Sequence, residues 1–476
     1  MGNAVTRASL RVAAVDLGAT SGRVMTGLVG PGAFELDTVA RFPNDPVRTV
    51  DGLHWDILSL YRNALAGLSI AARSAHVDSV GIDSWAVDYA LLRGDRMLGN
   101  PFHYRDERTA AGVAAVHTIA PAPELYQLNG LQHLPFNTLF QLATEQLVGD
   151  EKMVLIPDLL AFWLTGRIVA ERTNASTTGL LDPVTGQWQL DLASRLGLAT
   201  SGLPDLIDAG SPIGELLPSV AGEIGGHGIG SVIAVGSHDT ASAVVAVPAT
   251  TPDFAYISCG TWGLVGVELD SPELSEAGRL AGFTNEGGVD GRIRYLHNVM
   301  GLWLLTETVR EWERDGSTID LPALLAEAAA FPEPVAVFDA NDPEFLPPGG
   351  MATRIAAHCT ARGLQVATTR AGFARSIVES LATAFADAVH AAAQLSGKPV
   401  GVIHVVGGGS LNELLCQLTA DRSGLPVLAG PVEATAIGNM LVQARALGAL
   451  PGDLESLRRI VATAFPPILY KPRARI

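Results

Sequence analysis

The stretch RVAAVDLGATSGRVMTGLVG, residues 11–30, decides the fold reading. Strand formers run from Val12 to Leu17, break at Gly18-Ala19-Thr20-Ser21-Gly22, and resume through Val24 and Met25 before Gly30-Pro31 closes the segment. That order predicts a β-hairpin whose tight turn carries Asp16, Thr20, Ser21 and Arg23. Glycine turns after strands can hold phosphates, because a residue without Cβ lets backbone N–H groups approach an anion. Two familiar phosphate loops are excluded. A dinucleotide fingerprint needs G-x-G-x-x-G opening a helix, whereas Gly18-x-x-x-Gly22 is followed by strand. A P-loop needs G-x-x-x-x-G-K-[ST], and Gly397-Lys398 is followed by Pro399.

The same layout returns in FAYISCGTWGLVGVEL, residues 254–269, where Gly260, Thr261 and Gly263 interrupt two apolar runs. A third glycine turn, Gly407-Gly408-Gly409-Ser410, closes the strand IHVV at 403–406 and leads into a helical pattern from Leu411. Either hairpin alone reads equally as an ordinary turn. Two matched hairpins and a third turn point to nucleotide binding by two similar halves. The linker candidate is Val247–Asp253 (VPATTPD), which divides the chain into an N-terminal domain, 1–246, and a C-terminal domain, 247–476. Phe373, Ile377, Leu381, Ala384 and Ala388 recur at helical spacing, with Gly397 and Pro399 beyond the end, and predict a long helix over 373–395. Strands alternating with helices give an α/β fold class.

Composition narrows the function. The 476 residues carry 32 Lys plus Arg against 49 Asp plus Glu, a net charge of -17, which disfavours polyanions such as nucleic acid or an anionic membrane. With 48% apolar and 17% charged residues the chain is not disordered. Cys259, Cys359 and Cys416 are widely spaced and read as reduced packing residues. Asp16 interrupts the apolar run Val12–Val15, so the expectation is a cytoplasmic chain without a secretory signal. Met1-Gly2-Asn3-Ala4-Val5-Thr6 fits a myristoylation pattern and Asn174-Ala175-Ser176 a glycosylation sequon, by letters only. No His or Cys spacing indicates a metal cage.

Three segments, DLGATSGR at 16–23, SCGTWG at 258–263 and VGGGS at 406–410, resemble the nucleotide-facing turns of carbohydrate kinases with the actin/hexokinase/Hsp70 ATPase fold. Further segments resemble the L-rhamnulokinases within that family: GIDSWAVD at 81–88, YRDERT at 104–109, LPFNTLFQL at 134–142, SHDTASA at 237–243, TNEGG at 284–288, NVMGLWLL at 298–305 and GPVEATAIGN at 430–439. The resemblance covers nearly the whole chain. It implies a two-domain actin-like (ribonuclease H-like) α/β fold with the active site in an interdomain cleft. The N-terminal domain would carry most of the sugar site and the C-terminal domain most of the nucleotide site. The cofactors would be ATP and magnesium (Mg2+), the partner a small sugar.

Phosphoryl transfer to a sugar hydroxyl needs a held triphosphate, magnesium, a carboxylate to take the proton, and exclusion of water. From the residues alone, Asp239 in His238-Asp239-Thr240 reads as that carboxylate or as a helix cap; the resemblance implies the proton acceptor, with His238 and Thr240 on the sugar. It also implies that Ala19, Thr20, Ser21, Gly22 and Arg23 hold nucleotide phosphates. Thr261 would meet the phosphates, and Gly407, Gly408 and Gly409 would stand near the adenosine. Asp16 can reach a magnesium ion directly or through water, and Asn298 would contact the sugar. Trp85 and Asp88 read as sugar-pocket walls or as a core Trp and a surface Asp; Arg105, Asp106 and Arg108 read as a polar network or a solvated run. Two positions depart from the family pattern. Ala86 stands where a substrate-contacting Gly is usual, and Thr306 where a nucleotide-side Gln is usual. The reaction implied is ATP-dependent phosphorylation of L-rhamnulose to its 1-phosphate in L-rhamnose catabolism. Alternatives are a kinase of another deoxyketose such as L-fuculose, or an actin- or chaperone-like ATPase that phosphorylates no sugar.

Overall fold

The computed structural model describes residues 9–147, 149–332 and 334–473, so the Met1–Thr6 pattern lies outside the described residues. The chain forms two compact units. The first comprises the described residues up to Ala246 together with Glu268–Tyr295 and Ala434–Ala464. The second comprises Val247–Val267, Leu296–Glu433 and the described residues from Phe465. A break falls at 246/247, where the linker was expected, but two later segments fold back into the first unit.

The first unit is built on a six-stranded sheet. Its strands are β1 (Leu10–Leu17), β2 (Ser21–Gly30), β3 (Ala33–Pro43), β4 (Val77–Ser84), β5 (Pro212–Gly214) and β6 (Ile229–Ile233), in the order β5-β6-β4-β1-β2-β3. β1 and β2 form the expected hairpin, with Asp16 paired to Arg23. β1 also pairs parallel to β4, and β4 parallel to β6. A central strand covered on both faces needs an unbroken apolar run, which is why Val12, Ala13, Ala14, Val15 and Leu17 are all buried. Helix α1 (Ile57–Ser74) packs Leu60, Ala64, Leu68 and Ala71 inward, and its N-cap Asp56 accepts a hydrogen bond from the Ser59 amide at 3.1 Å.

The second unit repeats this plan. β7 (Phe254–Cys259) and β8 (Gly263–Leu269) form the second hairpin; β7 pairs parallel to β9 (Val402–Val406) and β9 parallel to β10 (Val427–Ala429), which β11 (Ile468–Tyr470) borders antiparallel. Hairpin, parallel strand, parallel strand and antiparallel edge therefore occur in the same spatial order in both units. The long helix runs Arg370–Ser396 and ends at Gly397 with φ +69°. Its buried face uses Phe385, where the spacing had pointed to half-buried Ala384.

The sequon is ruled out as a surface site by burial: Asn174 is 1% exposed. All three cysteines are free and buried. No helix among the described residues is long and apolar enough to cross a membrane.

One helix positions the site. Helix Ala434–Ala446 lies in the first unit against helix α2 (Asp239–Val245), and Gly438 makes that approach. A Cβ on Gly438 would stand 1.8 Å from the Ser242 carbonyl oxygen. Overpacking of this kind displaces backbone rather than a flexible side-chain end. Gly438→Ala is expected to destabilise the first unit by about 1–3 kcal/mol and to lower turnover, measured by urea unfolding beside steady-state kinetics.

Candidate active site

Strand ends bring three carboxylates together in the first unit. The register of β1 and β4 sets Asp16 beside Asp83. The backbone of Ser84 then donates to the Ser237 carbonyl at 2.9 Å and that of Trp85 to the Leu17 carbonyl at 3.1 Å. An isolated parallel bridge joins Ser84 to His238, beyond the end of β6. Asp239 follows as the first residue of α2, so all three acids stand at carboxyl ends of strands, where open α/β sheets bind ligands. Asp239 is not an N-cap: His238 occupies that position, and Asp239 Oδ1 accepts from the Thr240 amide at 2.6 Å.

The electrostatics distinguish the three. Asp16 is ion-paired with Arg23 at 2.7 Å, so the turn guanidinium is already anchored. Burial, and then the charges of Asp16 and Asp239, push the Asp83 carboxyl well above the ordinary range, against Asn439 and Arg23. Asn439 donates to Asp83 Oδ2 at 2.5 Å, while buried Oδ1 has no partner among the described residues. The Asp239 side chain is 30% exposed. Its pKa is raised by burial, with His238, the Thr240 hydrogen bonds and Arg294 working the other way. A carboxylate so raised is more basic than one in water.

His238 is 6% exposed and built into the wall. Its Nε2 lies 3.3 Å from Asp239 Oδ1, and its Nδ1 lies 3.1 Å from Arg294 Nη2 and 3.2 Å from Glu286 Oε2. Buried Thr240 donates its hydroxyl to Asp239 Oδ1 at 3.2 Å. Both neighbours are thus engaged with Asp239, which the resemblance did not indicate. Beneath them, buried Glu171 accepts from the amide and hydroxyl of Ser237, each at 3.0 Å, and fixes the segment entering His238.

The expected sugar wall is more heavily bonded than its letters show. Asp88 is buried and accepts from Trp55 Nε1 at 2.6 Å, Gln141 Nε2 at 2.9 Å, Trp85 Nε1 at 3.1 Å and the Tyr104 amide at 3.1 Å. An ionised carboxylate offers about four lone-pair sites. Asp88 therefore holds the wall together, with three donors on Oδ2 and one on Oδ1. Trp85 is 5% exposed and packs its ring 4.0 Å from that of Trp55. Ala86 and Val87 are half-buried, and the Asp88 amide donates to the Ala86 carbonyl at 2.9 Å. This i to i+2 bond closes a γ-turn that forces φ +66° on Val87, a strained value for a β-branched residue. Thr138 Oγ1, at 2.6 Å from the Val87 carbonyl, helps hold it. Arg108 is ion-paired with Glu145 at 2.9 Å and lies over the Phe102 ring, Asp106 caps the Leu53 amide, and Arg105 lies over Tyr104.

In the first hairpin Ala19 is half-buried, and Thr20 and Ser21 are exposed at the turn. Gly22 is buried behind them, where a Cβ would stand 2.2 Å from the Phe42 ring; that glycine serves packing. In the second unit Thr261 is half-buried, and its carbonyl accepts from the Trp303 amide at 3.1 Å. Asn298 is half-buried and Thr306 exposed. Gly407 is half-buried, Gly408 exposed, and Gly409 buried where a Cβ would stand 2.2 Å from Cys259 Sγ.

Sequence reasoning gave no role to Asp83, Glu171, Glu286, Arg294 or Asn439. The segments GIDSWAVD, TNEGG and GPVEATAIGN contain three of them, but only the fold shows which atoms they meet.

The twice-repeated plan of hairpin and parallel strands is that of two-domain actin-like ATPases and kinases. The models for the N-terminal and C-terminal domains of the FGGY family of carbohydrate kinases match residues 54–246 and 255–447. A rhamnulokinase of Bacteroides thetaiotaomicron is 39% identical over 468 residues, covering 97% of this chain and 95% of the relative. One of Pectobacterium carotovorum subsp. carotovorum is 41% identical over 473 residues, covering 97% and 93%. Among solved structures, a ligand-bound xylulose kinase from Lactobacillus acidophilus superposes with TM-score 0.79 at 17% identity, over 97% of this chain and 94% of that one. A Plasmodium falciparum glycerol kinase with ADP gives 0.76 at 16%, over 98% and 94%. At such identities these structures speak to fold alone. The chain belongs to the FGGY family of carbohydrate kinases, and it phosphorylates a ketose with ATP as donor.

The Asp88 carboxyl yields a pH-dependent prediction. Burial pushes its pKa up to about 6 against the opposing hydrogen bonds from Gln141, Trp55, Trp85 and Tyr104. The folded state thus binds this proton more tightly than the unfolded chain, and the group's contribution to stability falls as pH rises from about 4 to 6 and is constant above. Asp88→Asn has no such proton. The wild type's margin over it is expected to be larger at pH 5 than at pH 7, by on the order of 1 kcal/mol, in paired urea titrations.

Proposed function

We propose that the ketose is L-rhamnulose, that Asp239 is the general base, and that the product is L-rhamnulose 1-phosphate, made in L-rhamnose catabolism. The substrate reading is supported by the near-complete overlap with the two rhamnulokinases. The observation that carries the base is the half-exposed Asp239 carboxylate at a strand end, raised in pKa and held on one oxygen by His238 and Thr240. Its other oxygen accepts the proton of the sugar's primary hydroxyl as the alkoxide oxygen attacks the γ-phosphorus. The bond from phosphorus to the β,γ-bridging oxygen breaks, and ADP departs.

Thr20, Ser21 and Arg23 on the first hairpin, and Thr261 on the second, are the nucleotide-side residues of this reading. Gly408, exposed and with open space around its α-carbon, suits close approach by the nucleotide better than Gly409, which packs on Cys259. Asp16 is the magnesium residue. The fit rests on the orphaned Oδ1 of Asp83 beside it, since two adjacent carboxylates form a site that a divalent cation neutralises. Magnesium, when bound, offsets charge on the triphosphate. Three free, buried cysteines and ATP as donor suit a cytoplasmic enzyme.

Asp239→Asn is expected to lower kcat by about 10²–10⁴-fold while ATP still binds, measured by a coupled ADP assay and by calorimetry. Retained turnover would remove Asp239 from the base position. L-Fuculose is the rival substrate, and a tenfold or greater preference for it in kcat/KM over L-rhamnulose would overturn the rhamnulose assignment.

A further inference from the structure

We infer that Arg294 and Glu286 are positioning residues for the reaction, acting through His238 to hold Asp239 in the orientation that accepts the sugar proton. This rests on Asp239 as the base. Arg294 lies on the strand Ile293–Val299 and Glu286 on Phe283–Gly287, both within the part of the first unit contributed from beyond the 246/247 break.

The geometry assigns a direction to the chain of contacts. Arg294 is 0% exposed. Its Nε donates to the Gly287 carbonyl at 2.9 Å, its Nη2 stands 3.1 Å from Glu286 Oε2 and 3.1 Å from His238 Nδ1, and its Nη1 has no partner among the described residues. A guanidinium is always protonated, so the Nη2–H facing His238 Nδ1 can only donate. Nδ1 thus lies between a donor, Arg294 Nη2–H, and an acceptor, Glu286 Oε2 at 3.2 Å. Nε2 faces a carboxylate oxygen, Asp239 Oδ1 at 3.3 Å, so Nε2 carries the hydrogen that joins the two. With Thr240 on the same oxygen, Oδ1 is fixed and Oδ2 faces the reacting hydroxyl.

Glu286 supplies what a fully buried guanidinium needs, a compensating charge. Burial works to raise the Glu286 carboxyl, but Arg294 and His238 outweigh it, and the group sits below the ordinary range as a firm anion. The titratable and charged groups facing Asp239 are His238 before it, Arg294 and Glu286 behind His238, and Asp83 at the end of β4, with Asp16 and Arg23 beyond. Among them Arg294 is a cation that favours the Asp239 carboxylate, and Glu286 opposes it.

The two residues thus have opposite electrostatic signs at the base but one mechanical role. Arg294→Met is expected to lower kcat about tenfold to a hundredfold with KM for sugar and ATP within about threefold. It should also move the acidic limb of the kcat–pH profile upward. Glu286→Gln should lower kcat less and move that limb downward. In wild-type holoprotein, ¹⁵N-labelled His238 should show a pyrrole-like Nε2, a signature lost in Arg294→Met. Should Arg294→Met fail to fold, His238→Gln, which keeps a donor at the Nε2 position, must retain more kcat than His238→Asn. A folded Arg294→Met with kcat within twofold of wild type overturns the inference, as does an unchanged His238 tautomer or equal loss in the two His238 variants. Turnover persisting in Asp239→Asn would instead overturn the base assignment itself.

Discussion

Asp16, Asp83 and Asp239 are carboxylates that the strand register forces into one electrostatic neighbourhood, and much of the first unit is arranged around their mutual repulsion. Like charges brought close at partly buried positions must be offset by cations, donors or protons. Each acid here has its own counterweight. Arg23 crosses the hairpin to Asp16, Asn439 reaches Asp83 from the helix Ala434–Ala446, and His238 with Thr240 holds Asp239. That the counterweights come from three different elements explains why residues distant in sequence converge on the same strand ends.

The helix Ala434–Ala446 carries this further. Gln443 accepts from Ser79 Oγ at 2.7 Å and donates to the Ala13 carbonyl at 2.9 Å, so its amide ties β4 to β1 one turn from Asn439. Polar groups this deep are tolerated only when bonded. Gly438 brings the same helix against α2, whose first residue is Asp239. One helix therefore sets the depth of two of the three carboxylates.

The fold was legible in the sequence because its signals are local. The hairpin at 11–30, its counterpart at 254–269 and the glycine turn at 407–409 are each decided by a few adjacent residues, and the paired strands follow them. The site was legible only in part. Asp239 stood out because its neighbours His238 and Thr240 form a compact motif. Arg294 carried no signal, since an arginine on a strand reads as an edge or surface residue until the fold buries it. The bonding of Asp88 was equally hidden, because Trp55, Tyr104 and Gln141 arrive from separate segments to donate to its oxygens. The break at 246/247 was legible in a Pro- and Thr-rich linker, whereas the return of Glu268–Tyr295 to the first unit has no local mark.

That return bears on how the base is supported. A general base must be basic enough to accept a proton and still ionised at working pH, which leaves a narrow window for its environment. Burial raises the Asp239 carboxyl, and His238, the Thr240 hydrogen bonds and Arg294 work against it. His238 could not supply the balance unaided, because a neutral imidazole is free to adopt either tautomer. A buried Arg294 and its partner Glu286 both meet the inner nitrogen of that ring and hold it in place, and Glu286 makes the buried cation tolerable. The segment Glu268–Tyr295 thus contributes the fixed charges that the strand-end motif lacks.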